Sequence, residues 1–426
     1  MNSLIQPPRS CQGFLIAVVV GLTLSGVAQA SSESIELGAT LPPLLELLER
    51  QSPELQAVGH ERRAAWERPD VAGALPDPMF TFEEMGISRD DPSLSPSGVG
   101  STRYAFRQTF PIGGKRRLAR EVAEAGAAQA EAREHLSRVE LRRLVKLAFN
   151  EYQYVHAAIQ ISEELQALVD ELERIAQTRY RVGLAPQQDV IKAQTEYISL
   201  QSELLSLERD RRGIVARLNG ILARPANSML AAPAGWPELP SPVPTLAELQ
   251  MRIGSNPQLA ELNARIQEAQ RAETLARRNW IPDITVGTAV VQMGNRAEEF
   301  ELMLEMNIPL WGGRRSAEQR EAASLRNAAE ARREAINSRL AGSIGEAWST
   351  LETATRQHEL TERTLLPQAE LTYQSALASY QTGSVDFATL LDAQRQIRQL
   401  RLSLLSLALE QRVQVVELER LVGAEL

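Results

Sequence analysis

The sequence predicts a mainly α-helical protein with a membrane β-barrel component: long antiparallel coiled-coil hairpins plus four membrane-length strands per chain. Three observations lead there. The stretch "QTFPIGGKRR", residues 108–117, returns about two hundred residues later as "MNIPLWGGRR", residues 306–315. Long segments keep apolar residues three and four apart, the helical spacing. Four short segments alternate with a period of two, the strand spacing.

The chain has 426 residues, a net charge of -8 and 5% aromatic residues. So few aromatics suit long helices better than a compact aromatic core. Acidic charge spread along the whole length excludes nucleic acid as a partner. Residues 1–30 form an expected signal peptide. Arg9 supplies a positive start, Phe14 to Val27 is an apolar core, and "AQA" at Ala28 to Ala30 fits a cleavage site. A short membrane anchor is the alternative reading of that run. Cleavage removes Cys11, the one cysteine, so the exported chain is expected to hold neither a disulfide nor a lipid-modified Cys. No later apolar run reaches eighteen residues, so a membrane crossing has to be made by β-strands.

The duplication continues past the opening motif. "SPELQA" at Ser52 pairs with "NPQLAE" at Asn256, "LPDPMFTF" at Leu75 with "IPDITVG" at Ile281, and "YRVGLAPQQDVIKAQ" at Tyr180 with "YQTGSVDFATLLDAQ" at Tyr380. Residues 31–223 are therefore expected as one structural repeat and 246–426 as a second. A Pro-rich linker over 224–245 joins them. Each repeat runs helix, strand, turn, strand, long helix, tip, long helix. In the first, strands are expected at about 77–87 and 101–112, and long helices at about 114–182 and 185–222. In the second, strands fall at about 282–293 and 298–309, and long helices at about 313–382 and 385–422.

The strand "EFELMLEMNI" alternates most clearly. Phe300, Leu302, Leu304, Met306 and Ile308 share one face, with Glu299, Glu301, Met303 and Glu305 opposite. Tyr104, Phe106 and Phe110 likewise oppose Arg103 and Arg107, and Phe80 and Phe82 oppose Glu83. The turns are expected at residues 88–100 and 294–297. The helix from Lys115 to Arg181 would extend roughly 100 Å at 1.5 Å per residue, and Arg314 to Thr382 follows the same pattern. Spacings such as Leu141, Val145, Ala148, Tyr152 are those of a coiled coil.

Each strand has the length a tilted transmembrane strand needs. Four strands cannot close a barrel, and an open edge in lipid costs several kcal/mol per unpaired group. Several chains must then share one barrel, two giving eight strands and three giving twelve. Glu83, Arg103, Arg107, Glu301 and Glu305 would face the watery lumen, and the apolar faces would meet lipid. Soluble hairpins capping a coiled coil would alternate in the same way. Gly113-Gly114 and Gly312-Gly313 are expected to redirect the chain from strand to helix. Lys115, Arg116, Arg314 and Arg315 would anchor at the membrane interface.

The order of elements, the duplicated "FPIGGKRR" and "IPLWGGRR" junctions and the tip "YQTGSVDFATLLDAQR" resemble a TolC-like outer-membrane factor over about residues 40–426. The resemblance implies a homotrimer in the outer membrane. Its twelve-stranded barrel would continue into a periplasmic helical tunnel that docks on a periplasmic adaptor and an inner-membrane pump. "GALPDPM" with "QTFPIGGKRR" is more similar to members serving heavy-metal pumps of the RND class. The function implied is a passive exit channel for metal cations, with drugs or a type I secreted protein as alternative cargo. The resemblance places the adaptor-contacting tips at Arg181, Val182, Gly183 and Leu184 and at Thr382, Gly383, Ser384 and Val385. It places an acidic periplasmic gate at Asp189, Asp386 and Asp392, of which "LLDAQ" makes Asp392 the strongest match. Thr389 stands where the family often has another aspartate.

No phosphate-binding glycine loop, zinc-binding His pair or nucleophile motif occurs, so neither an enzyme nor a cofactor is expected. His60, His135, His156 and His358 are scattered at no ligand spacing, and the strand methionines suit packing or lipid contact. A non-channel periplasmic coiled-coil scaffold is the reading from another class.

Overall fold

The computed structural model describes residues 37–90, 92 and 94–426; the expected signal peptide lies outside them. In chain order, α1 (Leu41–Gln51) and α2 (Pro53–Gly73) precede β1 (Met79–Met85) and β2 (Ser101–Phe110). The helix α3 (Lys115–Arg181) then runs to a tip, and α4 (Gln187–Ile221) returns from it. The second half repeats the plan with α5 (Leu246–Met251), a 3-10 turn, α6 (Pro257–Arg278), β3 (Ile284–Met293) and β4 (Arg296–Met306). It ends with α7 (Gly312–Leu360), a π turn (Thr361–Leu365), α8 (Leu366–Thr382) and α9 (Phe387–Val422). Among the described residues, no helix is long and apolar enough to cross a membrane.

The four strands form one antiparallel sheet in the order β1-β2-β3-β4. The register Phe82↔Tyr104, Tyr104↔Val290 and Val290↔Phe300 puts the apolar positions of all four strands in one row on one face. The tight turn between β3 and β4 is shorter than the sequence suggests. Arg296 and Ala297 are already paired, and only Gly294 and Asn295 turn. Gly294 has φ +63, which suits the first central residue of a two-residue hairpin.

Below the sheet the helices form two tiers. In the upper tier α2 lies on α3, α3 on α6 and α6 on α7. In the lower tier α4 lies on α3, α3 on α9, and α9 on α7 and α8. The sheet and both tiers are thus open on the same two sides. The first half presents β1, α2 and α4; the second half presents β4, α7 and α8. A core of α3, α4, α8 and α9 residues, with Leu172, Phe387 and Leu390 at its centre, holds the tips together. A second core packs α1 against α3 and α4 through Leu44, Leu48 and Phe149.

Two further features differ from the sequence reading. The helix expected over 313–382 is not continuous, because a π turn interrupts it at Thr361–Leu365. Pro367 follows immediately. It offers no N–H to the carbonyl four residues back and its ring crowds that carbonyl, and a wider turn takes up the misfit. The Pro-rich segment 224–245 is strapped down along its length. Tyr152 Oη donates to Ala231 O (3.1 Å), Trp348 Nε1 to Pro244 O (3.1 Å) and Arg412 Nε to Pro237 O (3.1 Å).

Candidate functional site

The sheet has two chemically distinct faces. Phe300, Leu302 and Leu304 are 81%, 80% and 76% exposed, and Phe80, Phe82 and Phe106 on neighbouring strands are exposed with them. Such a contiguous apolar surface needs a non-aqueous partner. It continues past β4 through Ile308, Leu310 and Trp311, all exposed. The sequence reading did not single out Trp311, although Trp at the end of a membrane strand suits the lipid headgroup boundary. On the opposite face Arg103 donates to Glu83 (3.1 Å) and to Glu301 (3.0 Å), reaching across β3. The small Ala105 and Ala289 beneath it are buried, which lets the guanidinium lie flat. Arg107 donates to Thr81 Oγ1 at 3.2 Å. Glu305 sits opposite Thr285 on the same face and is exposed.

The two junctions are built differently. Gly113 and Gly114 both have φ +76, a left-handed conformation that other residues avoid. A Cβ on Gly113 would lie 2.5 Å from Ile281 Cδ1. Gly312 and Gly313, by contrast, already belong to α7 and do not have positive φ. Glycine freedom therefore makes the first turn only. At the second, Trp311 takes the N-cap position with φ -89 and ψ 79. The basic residues also differ from the expected anchors. Lys115 Nζ is 2.8 Å from Asp283 Oδ1, with its side chain 12% exposed. Arg116 donates twice to Gly73 O, at 2.8 and 2.9 Å. These two staple the junction to the residue just before β3 and to the end of α2 instead of reaching out. Arg314 is exposed and pairs with Glu318 at 2.9 Å.

The two tips have the same backbone. Leu184 N donates to Arg179 O and Gly183 N to Tyr180 O; Ser384 N donates to Ser379 O and Gly383 N to Tyr380 O. Both are Schellman turns with a left-handed glycine, at φ +75 and +81. Arg181, Val182, Gly183, Leu184, Thr382, Gly383 and Ser384 are exposed, and Val385 is half-buried.

The three aspartates fall in three environments. Asp189 is buried and accepts a hydrogen bond from Tyr380 Oη at 3.2 Å. Burial, with the Asp189 carboxylate beside it, pushes the Tyr380 phenol up to about 12, so it remains a donor at neutral pH. Asp386 is the N-cap of α9, accepting from Thr389 N (3.0 Å) and Thr389 Oγ1 (2.6 Å). The Thr389 hydroxyl, then its backbone N–H, hold Asp386 below the usual carboxylate range. Asp392 has 74% of its side chain exposed, with Arg395 Nη1 at 3.7 Å. The three thus have different partners. Asp189 and Asp386 are held by hydrogen bonds inside the protomer, whereas Asp392 is exposed with Arg395 beside it.

Two clusters escaped the sequence reading. Arg179 stacks over the Tyr380 ring at 4.9 Å and donates to Gln381 O (2.5 Å) and Leu184 O (3.3 Å), tying both tips together. Glu196, which is buried, accepts from Arg395 (2.6 Å) and lies 3.3 Å from Arg398. The available signal was the pair Arg395 and Arg398, three residues apart on one side of α9. Among the described residues, no group of three or more His, Cys, Asp or Glu could hold a metal ion.

The model of the family "Outer membrane efflux protein" matches residues 44–224 and 249–424. No curated protein sequence matches the chain. Among solved structures, the outer membrane protein VceC from Vibrio cholerae is 18% identical with a TM-score of 0.78, covering 90% of this chain and 96% of its own. CusC is 16% identical with a TM-score of 0.75, covering 90% and 92%. The open-state outer membrane channel MtrE of Neisseria gonorrhoeae is 16% identical with a TM-score of 0.74, covering 92% of each chain. At these identities the structures speak for the fold, and the family rests on the matched model. With its lipid-facing sheet set above a helical layer, the chain belongs to the outer membrane efflux protein family and is an efflux channel of the outer membrane.

Proposed function

We propose that three copies close one twelve-stranded barrel over one helical tunnel, and that this duct passes heavy-metal cations outward. A periplasmic adaptor and an inner-membrane pump of the RND class would deliver them at the hairpin tips. In this reading the repeats at 31–223 and 246–426 supply two strands and one tip each, and the segment 224–245 links them. Exposed Val182 and Leu184 give the first tip an apolar contact for the adaptor.

The acidic bias of the duct carries the cation reading. On the lumen face Glu83, Glu299, Glu301 and Glu305 outnumber Arg103 and Arg107. Near the tips the exposed Asp392 would join a ring of three around the axis, and such rings attract cations and repel anions. Asp189 and Asp386 contribute to the gate by holding their helices. Asp189 fixes α8 through Tyr380, and Asp386 caps α9.

Replacing Asp392 with Asn tests this directly. Purified channels in planar bilayers are expected to show higher conductance or weaker block by multivalent cations than the parent. Identical conductance and identical cation block would remove Asp392 from the gate. A parent channel that prefers anions would overturn the cation reading as a whole.

A further inference from the structure

The inward face of α4 carries one charge that the protomer leaves without a counter-charge. Asp189, Ala193, Glu196 and Leu200 are buried on the side that meets α3. Asp189 accepts from Tyr380, and Glu196 from Arg395. Arg211 follows Leu200 by about three helical turns and so lies on the same face. It is half-buried, yet among the described residues neither Arg211 nor the neighbouring Arg212 has an ion pair. Arg212 donates only to Glu208 O, at 3.4 Å. The nearby carboxylates are engaged elsewhere, Glu151 by Arg217 and Asp210 by Arg209. Burial, and then the Arg211 charge, push the His156 ring below its usual range, with Glu163 opposing. A partly desolvated guanidinium is costly unless a counter-charge reaches it.

Both guanidiniums line a cavity of about 540 Å³ between α3, α4 and residues 226–230. Among the described residues no carboxylate lines it. Val215, Met229 and Leu230 form an apolar wall, and Asn227 and Ser228 a polar rim. The wall is held in place from behind. Asn219 Nδ2 donates to Ser228 O (2.8 Å), Arg224 Nη2 to Met229 O (3.5 Å) and Tyr152 Oη to Ala231 O (3.1 Å). The Asn227 amide and the Ser228 hydroxyl have no partner among the described residues. A cavity of this size suits a small molecule or a short peptide. A guanidinium binds a carboxylate through two parallel N–H bonds. The apolar wall suits a side chain beside that carboxylate, and the amide and hydroxyl suit a peptide bond. Along α3 the cavity lies roughly 55 Å below Lys115, and along α4 roughly 40 Å above Gly183. It is therefore remote from both the barrel and the tips.

We infer that this cavity binds a short acidic peptide, with Arg211 and Arg212 holding its carboxylates and Val215 and Leu230 covering its apolar side chain. Asn227 and Ser228 take the backbone amide of the peptide. The site is separate from the conducting path, so it adds a periplasmic attachment point to the channel and does not depend on which cargo passes.

Calorimetric titration of the detergent-solubilised full-length channel with the dipeptide N-acetyl-Glu-Leu tests it. Saturable binding at one site per chain is expected, with an affinity that falls as salt is raised. Arg211→Gln and Arg212→Gln should each weaken binding roughly tenfold or more, the loss of hydrogen bonds to a charged group. Arg209→Gln removes the same charge from α4 outside the cavity and should bind as the parent does. Arg209 and Arg212 are both exposed, so these two variants decide the matter even where Arg211→Gln fails to assemble. The neutral N-acetyl-Gln-Leu amide should not bind. No saturable binding by the parent, equal weakening by Arg209→Gln and Arg212→Gln, or equal affinity for the neutral dipeptide would overturn the inference.

Discussion

Replacing Leu304 with Arg should destabilise the membrane-inserted protein by about 2–4 kcal/mol if the residue lies near the bilayer midplane. Leu304 is 76% exposed on the apolar face and pairs with Val286, itself 40% exposed. The arginine would have hydrocarbon around it and no carboxylate in reach, since Glu305 and Glu301 project to the other face. Glu305→Gln makes the opposite test. Glu305 is already exposed on the lumen side and has no ion pair among the described residues. That variant should assemble normally and shift ion selectivity toward anions. Yields of folded protein in outer-membrane fractions, followed by reversal potentials in planar bilayers, check both. Equal losses from the two substitutions would mean that the faces have been assigned the wrong way round.

Gly113→Val should lower assembly sharply, and Gly313→Ala should not. At Gly113 the positive φ alone costs a side-chain-bearing residue roughly 1–2 kcal/mol. The new Cβ would also meet Ile281 at 2.5 Å, beside the Asp283 that Lys115 holds. Gly114 shares the strained φ but has only Arg117 Nη2 nearby, at 3.9 Å, so Gly114→Ala should lose less. Gly313 is helical with open space around it. Alanine there should be neutral or stabilise by up to about 1 kcal/mol. Thermal unfolding of the detergent-solubilised oligomer would rank the three variants. Equal effects at Gly113 and Gly313 would contradict the difference between the two junctions.

These contrasts show what local sequence carries and where it stops. Period-two alternation identified the strand faces, because a strand's side chains depend only on their own order. The tip glycines were legible too, since a helix that reverses commonly ends on a left-handed residue. The identical-looking Gly-Gly-basic motifs were not separable, because their geometry depends on what packs against them. Ile281 and Asp283 fix the first junction from far along the chain. Asp189 and Asp392 look alike in sequence. One is buried only because Tyr380 arrives from the other repeat, and the other stays exposed. The π turn at Thr361–Leu365 did have a local sign, Pro367, hidden inside an otherwise helical pattern.

The number of chains in the channel tests the central claim most directly. Among the described residues each chain has four strands and leaves its sheet and both helical tiers open on the same two sides. Native mass spectrometry of the oligomer extracted from outer membranes would count the copies. Three chains per particle, dissociating to one on heating, is the predicted result. Two chains per particle, or a soluble single chain recovered from the periplasm, would contradict it.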